Sequence, residues 1–391
     1  MVSRFYLPTR IYIGAGVIDG LGDEANRLGQ RCVILTGRKS ARRSGVLGKV
    51  ANQLQEQHNH FVKVIDGIDP NPSLAFVLGL ADQVKIEDPH YIVAIGGGAV
   101  LDSAKLISVT ICDAQFIANV DWRRFTAPTP KRTIPLICVP TTAGAGSEAN
   151  NLASFLDQKL RARIPIITDG FFPYASYIDP NFTFTLGRNE TAFGGVDMFC
   201  HVLEHYLTSP DNTLIEDRIA ISILSTISQM IKRVLINGND FEARMTLARC
   251  SILAITENLA RGKGTSPVHR LEHAAAPSMQ TAHGEGLALL LPAYLQYLAA
   301  KCDPRLEKLG IELFGMSAGK INIMEQTVER TREWISEIGI QPGLGLRIKS
   351  NSSPADLATH CLEIFGSNGI LNPLSPLNYK EIHDIYQAAW L

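Results

Sequence analysis

"YIVAIGGGAVLDSAK", Tyr91–Lys105, sets an apolar run rich in β-branched residues directly against three glycines, Gly96, Gly97 and Gly98, and then against a stretch of helical periodicity. A strand that passes at once into a glycine turn and a helix is the building unit of an open parallel sheet. Missing β-carbons let backbone N–H groups approach an anion closely, and the helix N-terminus adds partial positive charge at the same place. A pyrophosphate fits this junction. A tight turn without a ligand has the same spacing, and the triplet is neither G-x-G-x-x-G nor a Walker loop.

Working outward, CVILTG (32–37), FVKVID (61–66) and TIPLICVPTT (133–142) read as further buried strands, because their apolar residues are continuous, as they are when helices cover both sheet faces. Helix-like stretches lie between them at 41–57, 73–86 and 99–110. After about Leu186 the strand-like runs stop, and helical patterns fill 189–207, 214–235, 240–260, 267–276 and 284–300. Asp-Pro and Gly punctuate the change within "YIDPNFTFTLGRNE" (177–190). The sequence thus predicts an α/β plus all-α fold: a Rossmann-like, parallel-sheet dinucleotide-binding domain over 1–186 and an all-helical domain over 187–391, which the aspartate and histidines described below make the expected metal-binding and catalytic part. The active site is expected in the cleft between them.

The 37 Lys and Arg against 38 Asp and Glu leave a net charge of −1, so no basic field exists to hold nucleic acid or an anionic membrane. The start of the chain lacks the apolar core of a signal peptide, and no run of 18 or more apolar residues occurs. The seven cysteines are scattered and never form C-x-x-C, which argues against a disulfide framework and a cysteine-held zinc. These features predict a cytoplasmic protein with a small-molecule ligand and neither a nucleic-acid nor a membrane partner. A homodimer is expected from the size of the helical part, although no residue pattern specifies one.

Two more turns suit a dinucleotide. In "CVPTTAGAGSEAN" (138–150), Thr141, Thr142 and Ser147 offer hydroxyls beside Gly144 and Gly146. In "LTGRKSARRSG" (35–45), Gly37, Arg38, Lys39 and Ser40 supply cations and a hydroxyl but no carboxylate, a set that suits a ribose 2′-phosphate and equally a solvated basic turn. In "GGVDMFCHVLEHYLTSP" (194–210), Asp197 and His201 are four apart, hence on one helix face. His269 and His273 repeat that spacing, and His283 follows at a predicted helix start. One carboxylate with imidazoles from two or three helices suits Zn2+ or Fe2+, whereas any single pair also fits an ordinary hydrogen-bonded histidine.

Taken in order, "GGGAVLDSAK", "PTTAGAGSE", "GGVDMFCHVLEHY" and "VHRLEHAAAPSMQTAHGEG" resemble the iron-containing (group III) alcohol dehydrogenase family, and the likeness runs from "FYLPTRIYIGAG" to "NPLSPLNYKEIHDIYQAAW". The resemblance implies metal-dependent hydride transfer between C4 of NAD or NADP and the carbon of an alcohol or aldehyde. It implies Fe2+ or Zn2+ on Asp197, His201, His269 and His283, with His273 beside the nicotinamide as proton relay, substrate-orienting group or hydrogen-bond partner. It further implies cofactor contacts from Gly96, Gly97, Gly98, Asp102, Thr141, Thr142 and Ser147, an adenosine-side contact from Asn71, and a cofactor-contacting lysine at Lys159. Ala99 and Ala145 replace hydroxyl residues usual in the family, and Glu285 and Leu287 alter its usual pattern around His283. Gly37 stands where NAD-preferring members carry aspartate, as in the NADPH-preferring aldehyde reductase and butanol dehydrogenase branch, so NADP is expected over NAD, with Gly37, Arg38 and Ser40 at its 2′-phosphate. Two rival functions remain: a cyclising lyase resembling dehydroquinate synthase, whose first ligand is commonly glutamate rather than an aspartate such as Asp197, and an inactive scaffold, against which the intact ligand set argues. Ser154, Arg161 and Arg163 fit either a polar substrate or the surface.

Overall fold

Continuous apolar strands need two cores, and the sheet supplies them. Six parallel strands run in the order β1-β8-β5-β4-β2-β3: β1 (Arg10–Ile13), β2 (Arg31–Gly37), β3 (Phe61–Ile68), β4 (Tyr91–Gly96), β5 (Leu136–Pro140) and β8 (Ala175–Ile178). Val33, Leu35, Ile92, Ala94, Leu136 and Cys138 point into one core, whereas Cys32, Ile34, Tyr91, Val93, Ile95, Ile137 and Val139 point into the other. The period of two therefore divides each run between the faces, and each large aliphatic side chain so buried contributes about 1.5–3 kcal/mol. The computed structural model describes residues 6–209, 214–256, 265–279, 281–319, 321–349, 351–371 and 376–391.

The helices of the first half are α1 (Leu21–Asn26), α2 (Ser40–Arg43), α3 (Val46–Asn52), α4 (Leu74–Ile86) and α5 (Gly98–Thr110). The stretch 41–57 does not form one helix: α2 and α3 are separated at Ser44–Gly45, where Gly45 adopts φ 76°. Between β5 and β8 lies an antiparallel hairpin, β6 (Leu152–Asp157) with β7 (Ala162–Ile167). Sequence reading missed this hairpin, in which Pro165 weakens the strand signal, and it missed β1 and β8, four residues each.

From Arg188 onward helices dominate: α6 (Arg188–Thr208), α7 (Leu214–Ile236), α8 (Phe241–Ile255), α9 (Pro267–Ala275), α10 (His283–Ala300), α11 (Pro304–Phe314), α12 (Ile323–Glu337), α13 (Pro354–Phe365) and α14 (Tyr379–Ala389). A short antiparallel pair, β9 (Gly366–Ser367) with β10 (Ile370–Leu371), interrupts the expected all-helical pattern. The end of the predicted 240–260 helix lies outside the described residues. By length and composition α7 could cross a membrane. Its Ala220, Ile223, Leu224, Ile227 and Ile231 nevertheless form a helical stripe buried in the core.

Sheet order fixes where a ligand belongs. The chain leaves β2 toward β3 on one side and resumes at β4 on the other, so the strand order reverses between β2 and β4. A crevice opens at the C-terminal ends of such strands. Thr36 pairs with Ile95, which places Gly37 beside Gly96 at that reversal. Two glycines then bring the helical elements close. A Cβ on Gly194 of α6 would stand 2.3 Å from the Ala143 carbonyl after β5, and one on Gly284 of α10 would stand 2.1 Å from the Phe193 carbonyl.

Candidate active site

Asp197 and His201 lie one turn apart on α6, His269 lies on α9, and His283 opens α10. The three imidazole Nε2 atoms stand 3.3, 3.5 and 3.7 Å from a single oxygen, Asp197 Oδ1. His201 and His269 stack with ring centroids 4.3 Å apart. Among the described residues Asp197 Oδ1 and His269 Nε2 are buried and make no hydrogen bond, an arrangement a native interior rarely leaves unexplained. A divalent cation accepting these lone pairs explains it, and one carboxylate with three imidazoles is a donor set that iron(II) and zinc(II) both take. The residues present thus fit the metal.

Two carboxylates that sequence reading passed over hold the histidines. Glu204, fully buried on α6, accepts from His269 Nδ1 at 2.5 Å and from the Val268 and His269 backbone N–H groups at 2.6 and 3.2 Å. Glu272, buried on α9, pairs with His283 Nδ1 at 2.7 Å. A carboxylate on Nδ1 keeps the proton there and turns Nε2 toward the centre as a lone-pair donor. Burial opposes the charged form of Asp197, but His201, His269 and His283 together hold its carboxyl well below the usual range. Burial likewise opposes the His269 imidazolium, yet Glu204 and Asp197 push it up to about 10.

His273, one turn beyond His269, is buried with its ring 6.2 Å from that of His269 and 5.4 Å from that of His283. Burial first, then the neighbouring His283 and Arg163, holds it well below the ordinary histidine value, so it is neutral at physiological pH.

On the sheet side, α5 starts at Gly98 with Gly97 as its cap and no side chain satisfying the first N–H groups. A Cβ on Gly97 would reach 3.1 Å from Thr142 Oγ1, and the Thr141 N–H donates to the Gly96 carbonyl at 2.9 Å, so the two small-residue turns meet. Asp102 accepts from Ser147 Oγ at 2.5 Å and from the Ser154 N–H at 2.9 Å. The fully buried Lys105 donates to Asn150 Oδ1 at 2.6 Å and the Leu152 carbonyl at 2.8 Å. Through Asp102 and Lys105, α5 therefore pins the segment that follows β5.

Lys159 is exposed at the β6–β7 turn, where its own N–H donates to Asp157 Oδ1 at 2.8 Å. The cation brought to Asn71 is instead Arg163, buried on β7, whose Nη2 donates to Asn71 Oδ1 at 2.6 Å. Arg161 is exposed, its carbonyl 2.9 Å from His360 Nε2. A carboxylate from outside the basic turn after β2 reaches it. Asp69, following β3, pairs with the exposed Arg38 through Nε at 2.8 Å and Nη2 at 2.9 Å, while Ser40 is exposed at the start of α2.

One cavity of about 280 Å3 joins the two halves: Asp102, Ser147 and Asn150 line it from the sheet side, and His201, His269, His273 and His283 from the helices. A larger cavity of about 550 Å3, between α10, α12 and the end of α14, is lined by no histidine. The constellation has relatives among known proteins. The family model described as iron-containing alcohol dehydrogenase matches residues 8–180, and that of the Fe-containing alcohol dehydrogenase family, C-terminal, matches residues 191–390. The chain is 28% identical over 398 residues to the NADH-dependent butanol dehydrogenase A of Clostridium acetobutylicum, covering 100% of both. It is 26% identical over 374 residues to the NADPH-dependent aldehyde reductase YqhD of Escherichia coli, covering 93% of this chain and 95% of that one. The crystal structure of the NADH-dependent butanol dehydrogenase A of Thermotoga maritima superimposes with a TM-score of 0.91 at 25% identity, covering 100% of this chain and 99% of that one.

Proposed function

Since the chain belongs to the iron-containing alcohol dehydrogenase family, we propose that it interconverts an aldehyde and its alcohol by metal-dependent hydride transfer with NAD or NADP. The observation that carries this reading is the convergence of three Nε2 atoms on Asp197 Oδ1, beside a cavity whose other wall is Asp102 of α5 and Ala145 and Ser147 of the turn after β5. Asp197, His201, His269 and His283 would hold iron(II), with zinc(II) as the alternative. Bound there, such a cation polarises a carbonyl in reduction and lowers the alcohol's pKa in oxidation. The nicotinamide supplies the hydride.

The chain's own residues do the rest. Gly96, Gly97 and Gly98 with the uncapped start of α5 receive the pyrophosphate, and Thr141 and Thr142 border it toward the nicotinamide. Asp102 and Ser147 fix each other and so hold that border in place. Arg163 with Asn71, rather than Lys159, provides the cationic contact. His273, neutral and buried beside His283, is suited to pass a proton at a ring nitrogen to or from the substrate oxygen. Glu204 and Glu272 keep the ligand rings turned inward.

Gly37 leaves space at the ribose and favours NADP, while the Arg38–Asp69 pair sets a carboxylate nearby that moderates the preference. The proposal extends to the cytoplasm, which the seven unpaired cysteines suit, and to a homodimer, for which the free edge of β1 with its exposed Tyr12 offers a pairing surface. The test is oxidation of NADPH and NADH, followed optically with a panel of aldehydes after chelator treatment, with and without Fe2+ or Zn2+, in the native protein and in Asp197→Asn. Metal-dependent turnover lost in Asp197→Asn is the expected result. Cofactor binding without turnover under either metal overturns the reading in favour of a lyase or scaffold.

A further inference from the structure

The cavity carries a charge that hydride transfer itself does not need. Arg270 follows the ligand His269 on α9, and the helix turns it about 100° away from the ligand direction. It still lines the same cavity. Its guanidinium makes no hydrogen bond or ion pair among the described residues, and Glu204, the carboxylate it senses, is already committed to His269 and Val268. Arg270 is half-buried, and it faces the cavity without a protein counter-ion among the described residues. A guanidinium left so is costly unless an anion completes it, and its planar fork matches carboxylate and related oxyanions.

The surroundings agree in sign and shape. Arg124 lines the same cavity from its exposed side, with only a loose 3.9 Å approach to Asp121. Among the described residues the one carboxylate on the cavity outside the Asp197 cluster is Asp102, whose oxygens are taken by Ser147 and Ser154. Between the arginines and the histidines the wall is apolar, with Phe125 and Phe365 packed at 5.3 Å. About 280 Å3 admits a small molecule only.

We propose that the substrate is a short aldehyde, or its alcohol, bearing an oxyanion at the end remote from the reacting carbon, and that Arg270, with Arg124 at the rim, binds that oxyanion. The inference rests on the oxidoreductase reading and names its substrate class. The experiment compares kcat/KM of the metal-loaded enzyme for 4-oxobutanoate and butanal, matched in carbon number, in the native protein, Arg270→Gln, Arg270→Lys and Arg124→Gln. The native enzyme is expected to favour 4-oxobutanoate by about tenfold or more, Arg270→Gln to reduce the ratio about 30-fold or more through KM, and Arg270→Lys to restore part of it. A native ratio at or below one, or an Arg270→Gln that scales both substrates alike, overturns the proposal. A weaker cofactor Kd with the ratio unchanged does so too, by assigning Arg270 to the cofactor. Calorimetric binding of 4-hydroxybutanoate in the presence of NADP+ separates the two claims. If no aldehyde is turned over, the oxidoreductase reading fails, and Arg270-dependent binding still decides the anion site.

Discussion

Glu204→Gln tests how the fold chooses which nitrogen of His269 faces the metal. In the native protein Oε2 takes the Val268 and His269 N–H groups while Oε1 takes the Nδ1 proton. Glutamine offers one acceptor oxygen and one NH2 in that fully buried space, so it cannot serve both sides. With its oxygen on the backbone donors, its NH2 faces Nδ1 and the ring proton moves to Nε2, the nitrogen aimed at Asp197. With its oxygen on Nδ1–H, two buried N–H groups face an NH2, at about 1–3 kcal/mol each. Loss of a carboxylate behind a ligand histidine costs about 10–100-fold in metal affinity, or roughly 1.4–2.7 kcal/mol. The first arrangement is therefore the cheaper. The metal-free variant should fold and bind Zn2+ about 10–100-fold more weakly, measured by competition with a chromophoric chelator. A zinc Kd within about twofold of the native value, in a variant shown by its melting curve to be folded, would refute the tautomer argument.

The same ring predicts a pH dependence. Metal must displace the proton that Glu204 and Asp197 hold on His269 against burial up to a pKa of about 10, so apparent zinc affinity should rise about tenfold per pH unit through neutrality. A folded-state pKa raised above the ordinary 6.5 stabilises the metal-free protein below that value. The contribution fades as pH climbs toward about 10, so the metal-free Tm should fall over that window, and a flat profile for both quantities would contradict it. At the ribose, a Cβ on Gly37 meets only ordinary contacts, the nearest the Ile68 carbonyl at 3.4 Å, so Gly37→Asp should fold and shift kcat/KM toward NADH. Asp69→Asn, which frees Arg38, should shift it toward NADPH, and an unchanged ratio in both variants would remove the ribose turn from cofactor choice.

How much was legible in the sequence depends on whether a feature repeats along one element or arises between two. β2, β4 and β5 were readable because each apolar run fills two cores and needs no partner to be recognised, whereas β3, expected to be buried, is an edge strand that stays exposed or half-buried from Phe61 to Gly67. The edge strand β1 and its inner neighbour β8 were not, because four residues carry little pattern and their placement is set by pairing across the chain. Asp197 with His201 and His269 with His273 were visible as one-turn pairs, and the resemblance joined them. The Arg38–Asp69 pair joins the ends of β2 and β3 across 31 residues, so the local composition of the basic turn could not show it. The Arg163–Asn71 contact was hidden for a related reason: in the β6–β7 hairpin only the register shows which cation turns inward.

The supporting carboxylates had a signal that went unread. His201-Val-Leu-Glu204 on α6 and His269-Arg-Leu-Glu272 on α9 repeat one spacing, a ligand followed three residues later by glutamate. Residues three apart share a helix face, so each glutamate could be taken as a partner of its own histidine. The structure uses them otherwise: Glu204 reaches across to His269 on the next ligand helix, and Glu272 reaches across to His283 on the one after. α6 and α9 thus each bring a ligand to the centre and orient the ligand of the next helix. Such an arrangement couples the packing of α6, α9 and α10 to the directions of their Nε2 atoms. It also explains the close approach at Gly194 and Gly284, because a shift of either helix by a methyl's width would pull a carboxylate from the ring it holds.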